Sequence, residues 1–236
     1  MEFENTCTYN WLNALRGMRN PKESWDKNDT TVKFVEGQGE VPTIGPNDLK
    51  LAKTLIKCGN EHRKFLRQLF VSVDITAPRY WWSEFDTYKV STVANSTSTM
   101  HKLAATPITK ECFEMGDYEN FGIWNDSIAN SRHADEYWNY TIDYCEGLRL
   151  KFLESKDKKY WKELIRVLPS AWLQKRTVTL NYENLLGMCS RGQRRYHKLN
   201  EWSGKDKKDV PNFIAWARTL PYAQEFLFGD ELTSNS

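Results

Sequence analysis

Val71, Val73 and Ile75 alternate with Ser72, Asp74 and Thr76, and this period of two predicts a half-buried strand that Pro78 ends. Upstream, Leu49, Ala52, Leu55 and Ile56 share one face of a helix capped by Asn47-Asp48 and stopped at Gly59. Glu61–Leu69 continues as a second helix. Beyond Pro78, Trp81, Phe85, Tyr88 and Val93 hold a helical period over residues 80–93. Ala134–Leu153 carries the stripe Trp138, Ile142, Cys145, Leu148, Phe152 and predicts a long helix; Tyr160–Leu168 gives another before Pro169. Thr177–Arg195 has Leu180, Leu185, Leu186 and Met188 on one side, and a last helix spans Asn212–Thr219. Between these lie weaker patterns. Val32–Val35 is a short strand, Gly37–Pro42 a loop, residues 1–30 ordered but irregular, 103–130 loop-rich, and 203–209 a charged surface loop.

A chain of 236 residues without repeat, low-complexity tract or linker is expected to form one domain. Its 40% hydrophobic and 27% charged content are ordinary for a soluble protein. No apolar run reaches membrane-spanning length, and MEFENTCTYNW lacks the basic-then-apolar order of a signal peptide. Cys7, Cys58, Cys112, Cys145 and Cys189 are dispersed, without metal-ligand spacing, as suits a reducing compartment. A cytoplasmic location, no membrane partner and no bound metal are the expectations. Net charge of +2 with no basic stripe argues against a nucleic-acid polymer as partner. The mixture of aromatics and arginines leaves single-strand binding as a third reading. Aromatic content of 14% is high, and suits core packing, broad subunit contacts or planar ligands.

Candidate chemistry concentrates in ITAPRYWWSEFDTYKVSTVANSTSTMH, residues 75–101, where Trp81, Trp82, Phe85 and Tyr88 mix with hydroxyls, amides and charges. Such a mixture can stack a planar ring and hydrogen-bond a sugar or phosphate; core packing is the plainer reading of Trp81 and Tyr88. Arg191-Gly-Gln-Arg194-Arg195 could read a phosphate bidentately or lie on a solvated face. Arg166 could enter a cleft or pair with Glu163. Four histidines are present, but no nucleophile elbow accompanies them.

The order of three segments resembles the flavin-dependent thymidylate synthase family (ThyX) over roughly residues 47–202. The first is the strand ending Ile75-Thr-Ala-Pro78 and the positions after it. There Glu84 falls on the family's glutamine, Thr87-Tyr88-Lys89 on its Arg-His-Arg signature, Ala94-Asn95 on its Asn-Glu, and Thr97 on its Ser. The second is Glu163-Leu-Ile-Arg166-Val-Leu-Pro169, and the third Thr177-Val-Thr-Leu-Asn181-Tyr-Glu183-Asn-Leu185, followed by Arg191 or Arg194. Glu183 stands where the family carries a flavin-contacting arginine.

The resemblance implies an α+β single domain, with a central antiparallel sheet packed with long helices. Residues 1–46 would be an irregular N-terminal segment, 47–202 the core, and 203–236 a C-terminal helix and tail. It implies methylation of dUMP to dTMP, with methylenetetrahydrofolate as carbon donor, reduced FAD as hydride source and NADPH as reductant, in a homotetramer that shares sites between subunits. Carried over by position, Arg166 and Arg191 would be catalytic. Glu84, Lys89, Asn95, Thr97, Arg166, Arg191 and Arg194 would bind substrate. Glu61, His62, Thr87, Tyr88, Lys89 and Asn181 would face the flavin. The alternative is a divergent relative that binds a pyrimidine nucleotide without flavin, favoured by Thr87-Tyr88 and Glu183.

Overall fold

In the computed structural model, which describes residues 1–88, 90–98, 102–123, 132–190 and 193–229, the Val71–Ile75 alternation becomes a strand of a six-stranded mixed sheet. The strands are β1 (Glu2–Tyr9), β2 (Thr31–Val35), β3 (Gly39–Thr43), β4 (Phe70–Pro78), β5 (Val93–Ser96), β6 (Gly122–Ile123), β7 (Arg132–His133) and β8 (Leu173–Asn181). The large sheet runs β2-β3-β1-β4-β8-β5, and β6 and β7 form a separate antiparallel pair. The fold is α+β, as expected. The sheet is mixed rather than wholly antiparallel, because β1 runs parallel to β3 at Thr8–Gly39 while β1–β4 and β2–β3 are antiparallel.

β1 lies in the segment expected to be irregular. Its alternation is broken where the register shifts between Glu4 and Cys7, with Asn5 at φ 51°, so no period of two is visible there. β3 likewise replaces an expected loop. Gly39 allows it: φ is +73°, and a Cβ would meet the Thr8 carbonyl oxygen. The expected helix over 80–93 stops at Phe85, since its helix is Arg79–Phe85. Ser91 at φ 58° and the β-branched Thr92 and Val93 then lead into β5. Glu61–Leu69 holds only a 3₁₀ turn at Lys64–Gln68. The long helix is Ala134–Ser155, with Asp135 and Glu136 in its first turn, where the helix dipole favours them. Lys158–Val167 follows, and Phe213–Arg218 begins at an Asn212 cap.

The chain gathers into two compact units. One comprises Met1, Ala77–Ser83 and Ser96–Lys175; the other Glu2–Thr76, Glu84–Asn95 and Arg176–Ser236. The first packs Leu103, Ile108, Phe113, Cys145, Leu164 and Leu168 into one buried cluster, to which helices Ala134–Ser155 and Lys158–Val167 contribute Cys145 and Leu164. The second buries Trp11, Val71, Val73, Ile75, Tyr182 and Phe226 among others. It also buries Asp48, whose carboxylate accepts from Arg19 Nε (2.6 Å), Asn28 Nδ2 (2.8 Å), the Asp29 N–H (3.1 Å) and Thr30 Oγ1 (2.6 Å). Asp48 therefore does not cap its own helix. Asp29 does so from a distance, accepting from the N–H groups of Asn47 and Asp48 at the start of Pro46–Lys57.

Candidate functional site

Helix Arg79–Phe85 turns Trp81, Trp82 and Phe85 inward, at 0%, 1% and 2% exposure. These rings are core, which leaves Glu84 on the open face. Thr87 closes the helix by donating both its N–H and its hydroxyl to the Glu84 carbonyl, and Tyr88 follows in the turn. A second segment meets this one after helix Tyr182–Cys189, where the Arg194 N–H donates to the Met188 carbonyl at 3.0 Å.

Two elements of one unit thus bring together Glu84, Tyr88 and Arg194. Arg194 Nη1 lies 2.5 Å from Glu84 Oε2, and Arg194 Nε donates to the Tyr88 hydroxyl at 3.0 Å. The guanidinium also lies over two rings, 4.8 Å from Trp202 and 5.4 Å from Tyr88. His197 Nε2 sits 3.3 Å from the same Glu84 oxygen. Burial pushes the His197 imidazole below its ordinary value; Glu84 opposes that, while Arg194 and Lys198 reinforce it. The result is a flat cation fixed on aromatic surface with a carboxylate at its edge. Such a group suits an anion or a planar polar ring.

Arg195 has a different role from its neighbour. At 4% exposure it donates Nε to the Cys189 carbonyl at 2.7 Å and lies over Phe228.

The third segment behaves differently from its family reading. Asn181 is buried, and its side-chain oxygen accepts the Asn184 N–H at 3.0 Å, capping helix Tyr182–Cys189. Glu183 is gripped by Arg63, whose Nε and Nη2 reach its carboxylate at 3.0 and 2.8 Å. The two charges cancel. Arg63 borders a cleft of about 480 Å³ that has Ile56, Leu186 and Phe226 on its apolar side and Lys53 and Lys57 at its cationic edge. Glu61 and His62 are exposed and line another cleft, of about 970 Å³, with Arg16, Lys22 and Phe65.

The remaining candidates are scattered. Arg166, in the other unit, is 61% exposed and pairs with Glu163 at 2.9 Å, the alternative that its sequence position left open. Thr97 is exposed, its N–H bonded to the Lys175 carbonyl and its carbonyl to Gln174 Nε2. Asn95 is exposed on β5. Lys89 and Arg191 lie outside the described residues. Sequence reasoning overlooked His197, Trp202 and Arg63. A signal was present for Arg63, which follows Glu61-His62 with a charge opposite to that of Glu183; His197 carried none in sequence.

These elements define an α+β fold with a mixed sheet and a cluster in which Arg194 is paired with Glu84 over Tyr88 and Trp202. Solved structures share that fold. ThyX from Helicobacter pylori, crystallised with FAD and dUMP, matches at 16% identity and a TM-score of 0.59, over 98% of this chain and 99% of that one. A second structure of that enzyme with FAD and dUMP matches at 17% and 0.58, over 97% and 98%. The UMP/dUMP methylase PolB from Streptomyces cacaoi, bound with 5-Br dUMP, matches at 16% and 0.58, over 97% and 95%. At such identities the likeness establishes the fold. No protein-family model and no curated protein matches the sequence.

Proposed function

We propose that the protein is a pyrimidine-nucleotide methylase of the ThyX kind, converting dUMP to dTMP. The single observation that carries this reading is the Glu84–Arg194 pair on Tyr88 and Trp202. It is built from the two segments that the resemblance marks for the nucleotide. The fold shared with ThyX and PolB supports it. Arg194 would hold the nucleotide by charge and planar stacking, Glu84 would orient Arg194, and the rings of Tyr88 and Trp202 would exclude water from one face. Lys89, Asn95 and Arg191 keep the substrate roles that their sequence positions imply, with Arg191 as the catalytic cation; Arg166, paired with Glu163, and Thr97 belong to the other unit and are left out of this reading.

An anionic flavin fits the residues present. The carboxylate of Glu183 would repel its pyrophosphate, but Arg63 neutralises it, and the adjoining cleft pairs an apolar floor with Lys53 and Lys57, which outnumber its one remaining carboxylate, Glu225. Reduced FAD supplies a hydride when bound, with methylenetetrahydrofolate as carbon source and NADPH as reductant. Lys53 and Lys57 would hold the cofactor's anionic part and Leu186 and Ile56 its apolar surface, while Glu61, His62, Thr87, Tyr88, Lys89 and Asn181 keep the flavin roles that their sequence positions imply. A homotetramer completes the reading. It is supported by Tyr137, Tyr140 and Tyr144, exposed at helical spacing on Ala134–Ser155.

The test is the visible spectrum of the purified protein together with rescue of a thymidine auxotroph. Flavin bands and growth are expected; a colourless protein that takes up no added FAD and rescues nothing would end the proposal. A second reading, nucleotide binding without flavin, draws on the hydroxyls of Thr87 and Tyr88 and the side-chain oxygen of Asn181, all spent on internal hydrogen bonds. Calorimetry against dUMP, dCMP and FAD separates the two, since this version gives nucleotide heat and no flavin heat.

A further inference from the structure

We infer that His197 is a positioning residue: it fixes the carboxylate of Glu84, and through Glu84 the guanidinium of Arg194. This role presupposes the nucleotide site proposed above.

The imidazole is oriented from both ends. Nδ1 accepts the Leu199 N–H at 3.2 Å, so in the neutral ring the proton sits on Nε2, which faces Glu84 Oε2 at 3.3 Å. The backbone that carries the ring is pinned as well. The His197 N–H donates to the Arg194 carbonyl at 3.1 Å, and the Ser203 hydroxyl donates to the His197 carbonyl at 2.6 Å. The ring meets Trp202 edge-on, with centroids 6.4 Å apart.

Glu84 Oε2 is thus bracketed by two donors, Arg194 Nη1 and His197 Nε2. Glu84 is half-buried, so without the second donor its carboxylate is free to turn toward water. Arg194 would then lose the partner that sets its angle on Trp202. The charged groups facing the imidazole are Glu84 from helix Arg79–Phe85, and Arg194 and Lys198 from its own segment. Burial and the two cations keep the ring neutral at neutral pH, so the contact is a neutral N–H donating to a carboxylate. Protonation would place a hydrogen on Nδ1 against the Leu199 N–H and break the orienting bond.

Three measurements test this. Long-range ¹H–¹⁵N correlation on the unmutated protein, labelled at histidine, should show the Nε2–H tautomer for His197, titrating below an ordinary imidazole; an Nδ1–H tautomer overturns the inference. Calorimetry with dUMP should show His197→Ala losing about tenfold in affinity, whereas His197→Gln, whose amide keeps a donor near Nε2, stays within about threefold. Equal losses in both variants overturn it, since a merely structural role would not distinguish them. Finally, affinity of the unmutated protein should fall more steeply than that of His197→Gln as pH drops through the imidazole titration, the variant's profile accounting for the phosphate's own protonation. Identical profiles overturn the inference. Absence of dUMP heat from the unmutated protein would overturn the nucleotide reading instead, leaving the tautomer to decide whether the Glu84 contact exists.

Discussion

Arg194 and Arg195 are adjacent in sequence, and the backbone sends them to different tasks. Arg195 is buried and supplies hydrogen to the carbonyls of Cys189 and Leu227. Removing it leaves acceptors unpaired in a dry interior, so Arg195→Ala should cost about 2–4 kcal/mol in thermal or urea unfolding. Arg194 is only half-buried. Arg194→Ala should leave the unfolding midpoint within about 1 kcal/mol and lower dUMP affinity at least about tenfold by calorimetry. A comparable contrast holds at Arg63. Arg63→Ala leaves the carboxylate of Glu183 bare beside the cleft and should weaken FAD binding. Arg63→Ala combined with Glu183→Ala should recover part of that loss, because the repelling charge is gone. At this scale half of the site was legible. Glu84, Tyr88 and Arg194 could be singled out because charged and aromatic side chains recur there in an order that resembles ThyX. His197 could not, since a lone histidine carries no pattern and its meaning depends on a turn that brings it back to Glu84.

Elements were legible where a regular period ran uninterrupted, and hidden where one residue broke it. β4 and the Ala134–Ser155 helix show their periods in full. β1 does not, because Asn5 takes a positive φ in mid-strand. Helix Arg79–Phe85 seemed longer in sequence because Tyr88 and Val93 continue its spacing by coincidence, while the backbone has already turned at Thr87. Caps were the hardest to place, because the residue that caps need not be adjacent to its helix. The Pro46–Lys57 helix is capped by Asp29, which packs so closely on Gly45 that a Cβ there would collide with its carboxyl group. Gly45→Ala should therefore displace Asp29 and cost about 1–2 kcal/mol, measured by denaturant unfolding. Asn181→Ala should cost about 1 kcal/mol through loss of the cap on Tyr182–Cys189. A larger loss of FAD affinity than of stability in that variant would favour the flavin role carried over to Asn181.

For the whole molecule, pH provides an independent check on the carboxylates. Burial pushes the Asp29 carboxyl up, but the backbone N–H groups of Asn47 and Asp48, with Arg19, bring it below its ordinary 3.8. The Arg149 guanidinium holds Glu146 below its ordinary 4.5, with the Ile108 N–H helping against burial. Both folded values lie beneath the unfolded ones. Their stabilisation is present in full above the ordinary carboxylate range and is lost as pH falls through the depressed values. Melting temperature should hold from neutral pH to about 5 and then decline; Glu146→Gln should remove part of that decline. The fold itself was partly legible as α+β from the spacing of its helices and β4, whereas the parallel β1–β3 pairing depends on a long-range contact that no local pattern encodes. The central claim concerns chemistry at the pyrimidine C5. Release of tritium from [5-³H]dUMP tests it most directly, with methylenetetrahydrofolate, NADPH and FAD supplied. Release that depends on methylenetetrahydrofolate and NADPH, accompanied by dTMP, is the predicted result; a folded protein that binds dUMP yet releases no tritium above the protein-free control would contradict it.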